Sequence, residues 1–430
     1  MKTRVSLFML VTILAGLLAA CGQTPSGGGA APTTASGGAQ PTAAPQPTAP
    51  PAGGGAAGNT IKIVSSLPRT GSSKGQTDSV VNAIKQRLEE DKNQACGGKF
   101  NIVYEDMDDA TAAAGKWDAA QEASNANKAA ADADVMVYIG TFNSGAAKIS
   151  IPILNQAGLV MISPANTYPG LTKPGKGEAG EPDKYYPTGK RNYSRVVPAD
   201  DIQGVAAANW AKELGAKSAY VLDDTELYGK GVADVFRKQA ESIGIKLVGN
   251  DSIDGKAADY RALAAKIVSA APDIVYYGGI TQNNAGQLWK DIRSEGFKGL
   301  MMGPDGIYEE AFIKAAGDAA EGTYVTFGGT PPEKLTGKAA EWYKNYKEKY
   351  KSEPEVYAVY GYEAANVAMA AINKVCAKDR AKILDAVMGT KDFNGVLGTW
   401  SFDANGDTSL TTMSGAQVKG GKFEFVKELK

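Results

Sequence analysis

The sequence predicts an α/β protein built on two parallel sheets, each covered by helices on both faces. Three observations carry that prediction. At 430 residues the chain exceeds the roughly 250–300 residues at which single cores stop growing, so more than one compact unit is expected. From Thr60 onward, short runs rich in Val, Ile and Tyr alternate with longer segments of helical period, the pattern of parallel strands connected by helices. The chain also echoes itself. Asp134-Val-Met-Val-Tyr-Ile-Gly140 matches Asp273-Ile-Val-Tyr-Tyr-Gly-Gly279, and each is followed by a second strand ending in proline, at Pro164 and Pro304. Two similarly wound halves are the economical reading.

The elements follow in order from the N-terminus. Met1-Lys-Thr-Arg4 is basic, Val5 to Ala15 is apolar, and Leu17-Leu18-Ala19-Ala20 ends in small residues ahead of Cys21. A charged start, a short apolar run and a small-residue cut site read as a secretory signal, too short for a stable membrane span. Leu18-Ala19-Ala20-Cys21 resembles a bacterial lipobox. That resemblance implies removal of residues 1–20 and acylation of Cys21, several chains giving a durable membrane anchor; a soluble secreted protein is the alternative. Gly22 to Asn59 holds no charged or aromatic residue. Such a segment cannot bury enough apolar surface to offset its ordering entropy, so residues 21–59 are expected to be a disordered tether.

Strands are expected at Ile61–Ser65, Phe100–Tyr104, Val135–Ile139 and Val160–Ser163, then at Ala219–Leu222, Leu247–Asn250, Ile274–Tyr277, Leu300–Met302 and Thr323–Thr326. Helices are expected at Ser79–Asp91, Trp117–Ala131, Gly145–Leu154, Ile202–Leu214, Gly231–Ile243 and Ala364–Val375. Open parallel sheets bind ligands beyond the carboxyl ends of their strands. Candidate positions therefore lie at Arg69 to Gly75, Thr141 to Ser144, Ser163 to Thr167, Asp223 to Tyr228, Ile280 to Asn283 and Pro304 to Gly306.

Composition narrows the chemistry. The chain has no His, which removes imidazole-based triads, His-ligated zinc and the usual near-neutral proton shuttle. A formal charge of −1 gives no reason to expect a nucleic-acid partner. No cofactor or metal is expected. Gly71-Ser-Ser-Lys-Gly75 fits a nucleophile-elbow pattern without its base, leaving a Ser73–Lys74 surface hydrolase as a rival reading. Gly170 to Lys176 imitates a phosphate loop, but Gly177 stands where Ser or Thr would hold magnesium. Asp403 to Asp407 imitates the opening of a calcium loop, but Thr408 occupies the glycine position and Ser414 that of the bidentate glutamate; a hairpin turn is expected. Asp106, Asp108 and Asp109 read as a solvated acidic turn or a cation site. The Lys-rich segment Glu341–Lys351 reads as an amphipathic surface helix.

The constellation that carries chemistry is split between the two halves. Ser144 is expected to cap the helix beginning at Gly145, which puts a hydroxyl beside free backbone N–H groups, a site for a carboxylate. Ala165-Asn166-Thr167 adds turn amides and a second hydroxyl. Asp305, in a Gly-Pro-Asp-Gly turn of the other half, supplies the opposite charge. An anion-accepting rim facing an anionic side chain suits a zwitterion, an α-amino acid.

Here the sequence resembles the extracytoplasmic solute-binding proteins of branched-chain amino acid ABC transporters, the leucine/isoleucine/valine-binding type. The similarity runs from about Ile61 to Trp400 and includes Asp273 to Gly279, Met302-Gly-Pro-Asp-Gly306 and Tyr228-Gly-Lys-Gly231. It implies a type I periplasmic-binding protein fold: two doubly wound parallel-sheet lobes joined by three crossovers, near Val197, Gly328 and Asn394. The lobes are expected at 60–197 plus 329–393 and at 198–328 plus 394–430. Carried over by position, Ser144, Ala165 (through its backbone) and Thr167 hold the ligand carboxylate, while Tyr228 and Asp305 meet its amino group. Asp305 stands where the family often has Glu. Asn143 and Ile280 are further candidates, as are Arg69 and Lys74 in the first loop, where leucine binders place an aromatic. The segment Leu171–Tyr193, with Tyr185, Tyr186 and Arg191, either partly roofs the cleft or forms a solvated loop.

The resemblance further implies a monomer that sits outside the cytoplasm on its lipid anchor and passes an amino acid to an ABC permease. The rival readings are a binder of amides, urea or aromatic acids on the same fold, and a sensory ligand-binding module. Once Cys21 is lipidated, Cys96 and Cys376 remain. An even pair in an oxidising compartment usually closes, and the family topology puts both in the first lobe, so a Cys96–Cys376 disulfide is expected.

Overall fold

The computed structural model describes residues 58–430; the expected signal, the Cys21 lipidation site and all but the end of the tether lie outside them. The first sheet draws on β1 (Thr60–Leu67), β2 (Gln94–Ala95), β3 (Phe100–Asp108), β6 (Val135–Gly140), β7 (Val160–Ser163) and β8 (Tyr193–Arg195). A small antiparallel hairpin, β4 (Ala110–Thr111) with β5 (Lys116–Trp117), projects after β3. The strand order is β2-β3-β1-β6-β7-β8, parallel except for β2. The second sheet uses β9 (Ser218–Asp223), β10 (Lys246–Ser252), β11 (Ile274–Gly278), β12 (Leu300–Gly303) and β13 (Tyr324–Gly328), followed after the hairpin β14 (Phe393–Gly395)–β15 (Gly398–Trp400) by β16 (Met413–Lys419) and β17 (Lys422–Leu429). Its order is β10-β9-β11-β12-β13-β16-β17, the last two antiparallel. This is the type I periplasmic-binding architecture.

Eleven α-helices of the described residues cover the sheets: α1 (Lys74–Glu90), α2 (Ala119–Ala131), α3 (Ser144–Gln156), α4 (Asp200–Glu213), α5 (Leu227–Ser242), α6 (Arg261–Ala270), α7 (Ala285–Ser294), α8 (Glu310–Ala316), α9 (Lys338–Tyr350), α10 (Ala358–Val375) and α11 (Arg380–Met388). The strands are buried on both faces because successive side chains point opposite ways. Ile63, Val137 and Ile139 pack beneath α1, α10 and α11, whereas Val64, Tyr138 and Met161 pack against α2 and α3. The second sheet repeats the device. Val221, Tyr276 and Met302 meet Trp210 of α4 and Phe236 of α5, while Leu222, Val275 and Tyr277 meet Leu288 and Trp289 of α7.

Late chain returns to complete early structure. α10 packs along α1, and the guanidinium of Arg195, wholly buried on β8, pairs with Asp407 at 2.5 Å. Asp407 lies in the turn expected at Asp403, whose carboxylate accepts from the Asn405 and Asp407 N–H groups. The expected disulfide is not formed. Cys96 and Cys376 are free thiols; the Cys96 thiol donates to the Ile372 carbonyl at 3.7 Å. Burial, then its contact with Cys376, pushes it up to about 11, which leaves little of the thiolate that attacks in disulfide formation.

Candidate functional site

A small cavity, about 20 Å³, lies beyond the carboxyl ends of both sheets. One wall is Phe142, Asn143, Ser144, Ala165 and Thr167, which follow β6 and β7; the other is Tyr228, Ile280, Asp305 and Gly306, with Tyr357 at the edge. Seven of the nine expected ligand contacts converge here. Gly306 is required by closeness: a Cβ would meet the Gly279 carbonyl oxygen at 2.5 Å and the Tyr228 ring at 2.8 Å.

The first wall offers donors and hydroxyls. α3 begins one residue earlier than expected, so Asn143 is its N-cap and Ser144 its first helical residue. Asn143 accepts the Ala146 and Ala147 N–H groups on its carbonyl, while the Ser144 and Gly145 N–H groups belong to the orphan donors of a helix start. The Ser144 hydroxyl accepts from the Tyr168 N–H at 3.3 Å. At Ala165 the structure revises the expectation. Its N–H already donates to Ser163 Oγ at 3.1 Å, so the carbonyl, which no group among the described residues uses, is the backbone group open to a ligand.

The second wall is acidic. Asp305 is 4% exposed and accepts from Gln203 Nε2 at 2.7 Å and from the Tyr228 hydroxyl at 2.8 Å, whose oxygen in turn accepts from the Gly306 N–H. Burial lifts its carboxyl to about 6, the two hydrogen bonds opposing the rise. Asp200, the first residue of α4, lies near Asp305 without lining the cavity, and the sequence does not single it out. It is fully buried, and neither carboxylate oxygen has a hydrogen-bond partner among the described residues. Burial first and the Asp305 carboxyl second push it well above the usual range. Two acids so placed share their charge poorly, and a cation between them relieves both. Pro198-Ala-Asp-Asp201 reads in sequence as an ordinary acidic helix start; only tertiary burial marks Asp200 out.

Other expected contacts are drawn elsewhere. Arg69 does not reach the cavity because Asp78 and Asp106 hold its guanidinium at 2.7 and 3.0 Å. The Lys74 side chain is 58% exposed and pairs with Asp78. Ser73 bonds Glu309 rather than Lys74, which removes the Ser–Lys hydrolase arrangement. The 171–193 segment does not roof the cavity; Tyr185 and Tyr186 are buried with the first sheet's outer helices, and Arg191 stacks on Tyr186 at 4.1 Å. Asp106 is exposed, whereas Asp108 is occupied by Arg69 N–H and Thr70 and Asp109 is fully buried, so only the first of the three acids is solvated. No cluster of three or more metal-ligating side chains occurs among the described residues.

A family profile described as periplasmic binding protein matches residues 60–422. The chain is a member of the periplasmic binding protein family. It is 30% identical over 361 residues to a Leu/Ile/Val-binding protein homolog 2 of Brucella abortus, covering 83% of this chain and 90% of that one. Among solved structures, a leucine binding protein from Thermotoga maritima superposes with a TM-score of 0.75 at 26% identity, covering 86% of this chain and 99% of that one. A branched-chain amino acid transporter substrate binding protein from Streptococcus pneumoniae, in complex with isoleucine, gives 0.73 and 26% with the same coverage. All three are named as binding proteins, and the Streptococcus pneumoniae one as the substrate binding protein of a transporter.

Proposed function

We propose that this member of the periplasmic binding protein family captures a free α-amino acid between its two halves and delivers it to the permease of an ABC transporter. The carrying observation is one cavity with helix-start donors and hydroxyls on one wall and the Asp305 carboxyl, with buried Asp200 near it, on the other. In this reading Ser144 and Thr167 receive the ligand carboxylate. The Ala165 carbonyl, Tyr228 and Asp305 receive its ammonium, and Asn143 and Ile280 line the remainder. The relatives named for leucine, isoleucine and valine support an amino acid as ligand.

The working parts are two lobes, 60–197 plus 329–393 and 198–328 plus 394–430, which close on the ligand as a hinge. Ligand favours the closed form only by its greater affinity for it. The protein works as a monomer outside the cytoplasm, held to the membrane by lipid on Cys21 and a tether ending near Asn59. Mass spectrometry of small molecules released by denaturing freshly purified protein tests the reading, with a bound amino acid expected. X-ray scattering checks the mechanism; a radius of gyration unchanged at saturating ligand refutes hinge closure.

A further inference from the structure

Glu309 has no part in the site so far described. It lies four residues beyond Asp305, is 3% exposed, and accepts from the Ser73 hydroxyl at 3.2 Å from the opposite wall of the cleft. Its neighbours join it to the cavity. Gln76 of α1 donates to the Tyr308 carbonyl and accepts from the Tyr357 N–H, both at 3.3 Å, and Tyr357 is cavity wall. The Thr281 hydroxyl, next to the wall residue Ile280, lies close to Glu309 and donates to the carbonyl of the wall residue Gly306 at 3.4 Å. The carboxyl therefore sits at the Tyr357–Ile280 edge of the cavity, shut in between the two halves.

No basic side chain answers it among the described residues. Arg69 and Lys74 are held by Asp78, Lys116 by Glu226, and Arg195 by Asp407. The charged neighbour that acts on it is another acid, Glu355, itself beside Glu310 and Lys314. Burial holds the Glu309 carboxyl up at about 8. The cleft thus closes on Asp200, Asp305 and Glu309, none of them ion-paired to a basic side chain among the described residues. An α-ammonium answers the Asp200–Asp305 pair, and the ligand carboxylate is answered by the start of α3. Glu309 is left over. A buried carboxyl in this position either stays protonated or takes a cation from what the cleft encloses.

We propose that the captured amino acid carries a second positive charge on its side chain, and that Glu309 receives that ammonium or guanidinium in place of its bond to Ser73. This rests on the amino-acid reading above and sharpens it to the basic amino acids. Isothermal titration of the intact protein with L-arginine, L-lysine, L-ornithine, L-leucine and L-isoleucine tests it. At least one basic amino acid is expected to bind tenfold or more tighter than leucine. Glu309→Gln is expected to cut that affinity at least tenfold while changing leucine binding less than threefold, and Ser73→Ala, which keeps the acid, is expected to retain the preference. Leucine or isoleucine binding as tightly as every basic ligand overturns this inference and leaves the amino-acid reading intact. A basic preference that survives Glu309→Gln also overturns it. Binding of no amino acid in the panel overturns both.

Discussion

The two walls of the cleft solve opposite problems with different materials. The first-sheet wall presents neutral groups, the orphan N–H start of α3 with the hydroxyls of Ser144 and Thr167; what it leaves unmet when empty is hydrogen-bonding capacity, not charge. The second-sheet wall presents Asp305 with its Tyr228 and Gln203 partners, backed by the unpartnered Asp200 near it, an arrangement that is strained until a cation arrives. The difference teaches that orientation is set by the neutral wall, whereas the drive to close comes from relieving the acidic one.

The comparison breaks most sharply at Asp305. Asp305→Ala is expected to weaken amino-acid binding by about 3–5 kcal/mol, the cost of leaving a buried ammonium unpaired, or roughly two to four decades in Kd; calorimetry reading an unchanged Kd removes Asp305 from the site. Asp305→Asn, which keeps a similar shape, separates charge from packing in the same assay.

On the neutral wall the same substitution logic gives less. Ser144→Ala is expected to lose about 1.5–3 kcal/mol, one hydrogen bond to a charged group, with the melting temperature of the empty protein nearly unchanged.

The acids also set the pH response of the unliganded protein. Asp305 and Glu309 are lifted to about 6 and about 8, so the folded state binds more protons than the unfolded chain between these values and the ordinary carboxylate range. Their stabilising contribution is complete at low pH and is lost as pH rises through the folded values. Stability in urea is expected to fall by at least about 1.4 kcal/mol, the free energy of a tenfold difference in proton affinity between the folded and unfolded chain, between pH 5 and pH 8.5. A flat profile contradicts the buried acids; Glu122, Asp224 and Glu355, each lifted by burial to about 7 and none lining the cavity, add to the slope, so saturating ligand is expected to reduce it without flattening it.

The smallest effect belongs at the rim. Lys116 on the β4–β5 hairpin reaches Glu226 at 2.6 Å and Asn283 at 2.8 Å on the other half. Partly exposed pairs of this kind contribute about 0.2–1 kcal/mol, so Lys116→Ala is expected to raise Kd no more than about fivefold, and mainly through faster release in stopped-flow measurements.

The β-branched runs announce the sheets because strands buried on both faces have no polar side to blur them. Val160–Ser163 is legible to the residue, and β6 and β11 nearly so. The start of α3 falls one position from its expected place because Asn143 and Ser144 are both good caps and only backbone geometry chooses between them. Ser144, Thr167, Tyr228 and Asp305 are legible through strand ends and resemblance, and the fold brings them to one cavity. Arg69 and Lys74 mislead because their partners, Asp78 and Asp106, are remote or helical neighbours whose alignment no local pattern reveals. Asp200, Glu309 and Tyr357 are invisible in the sequence for the same reason: their roles come from what packs over them.

The bond between Arg195 and Asp407 joins positions 212 apart in the chain. A polypeptide made N-terminus first presents β8 long before its counter-ion exists, so the early half cannot settle around that guanidinium until nearly the whole chain is made. Settling of the first half is therefore late, and a premature stop codon upstream of 407 is expected to yield protease-sensitive material rather than a shorter working binder.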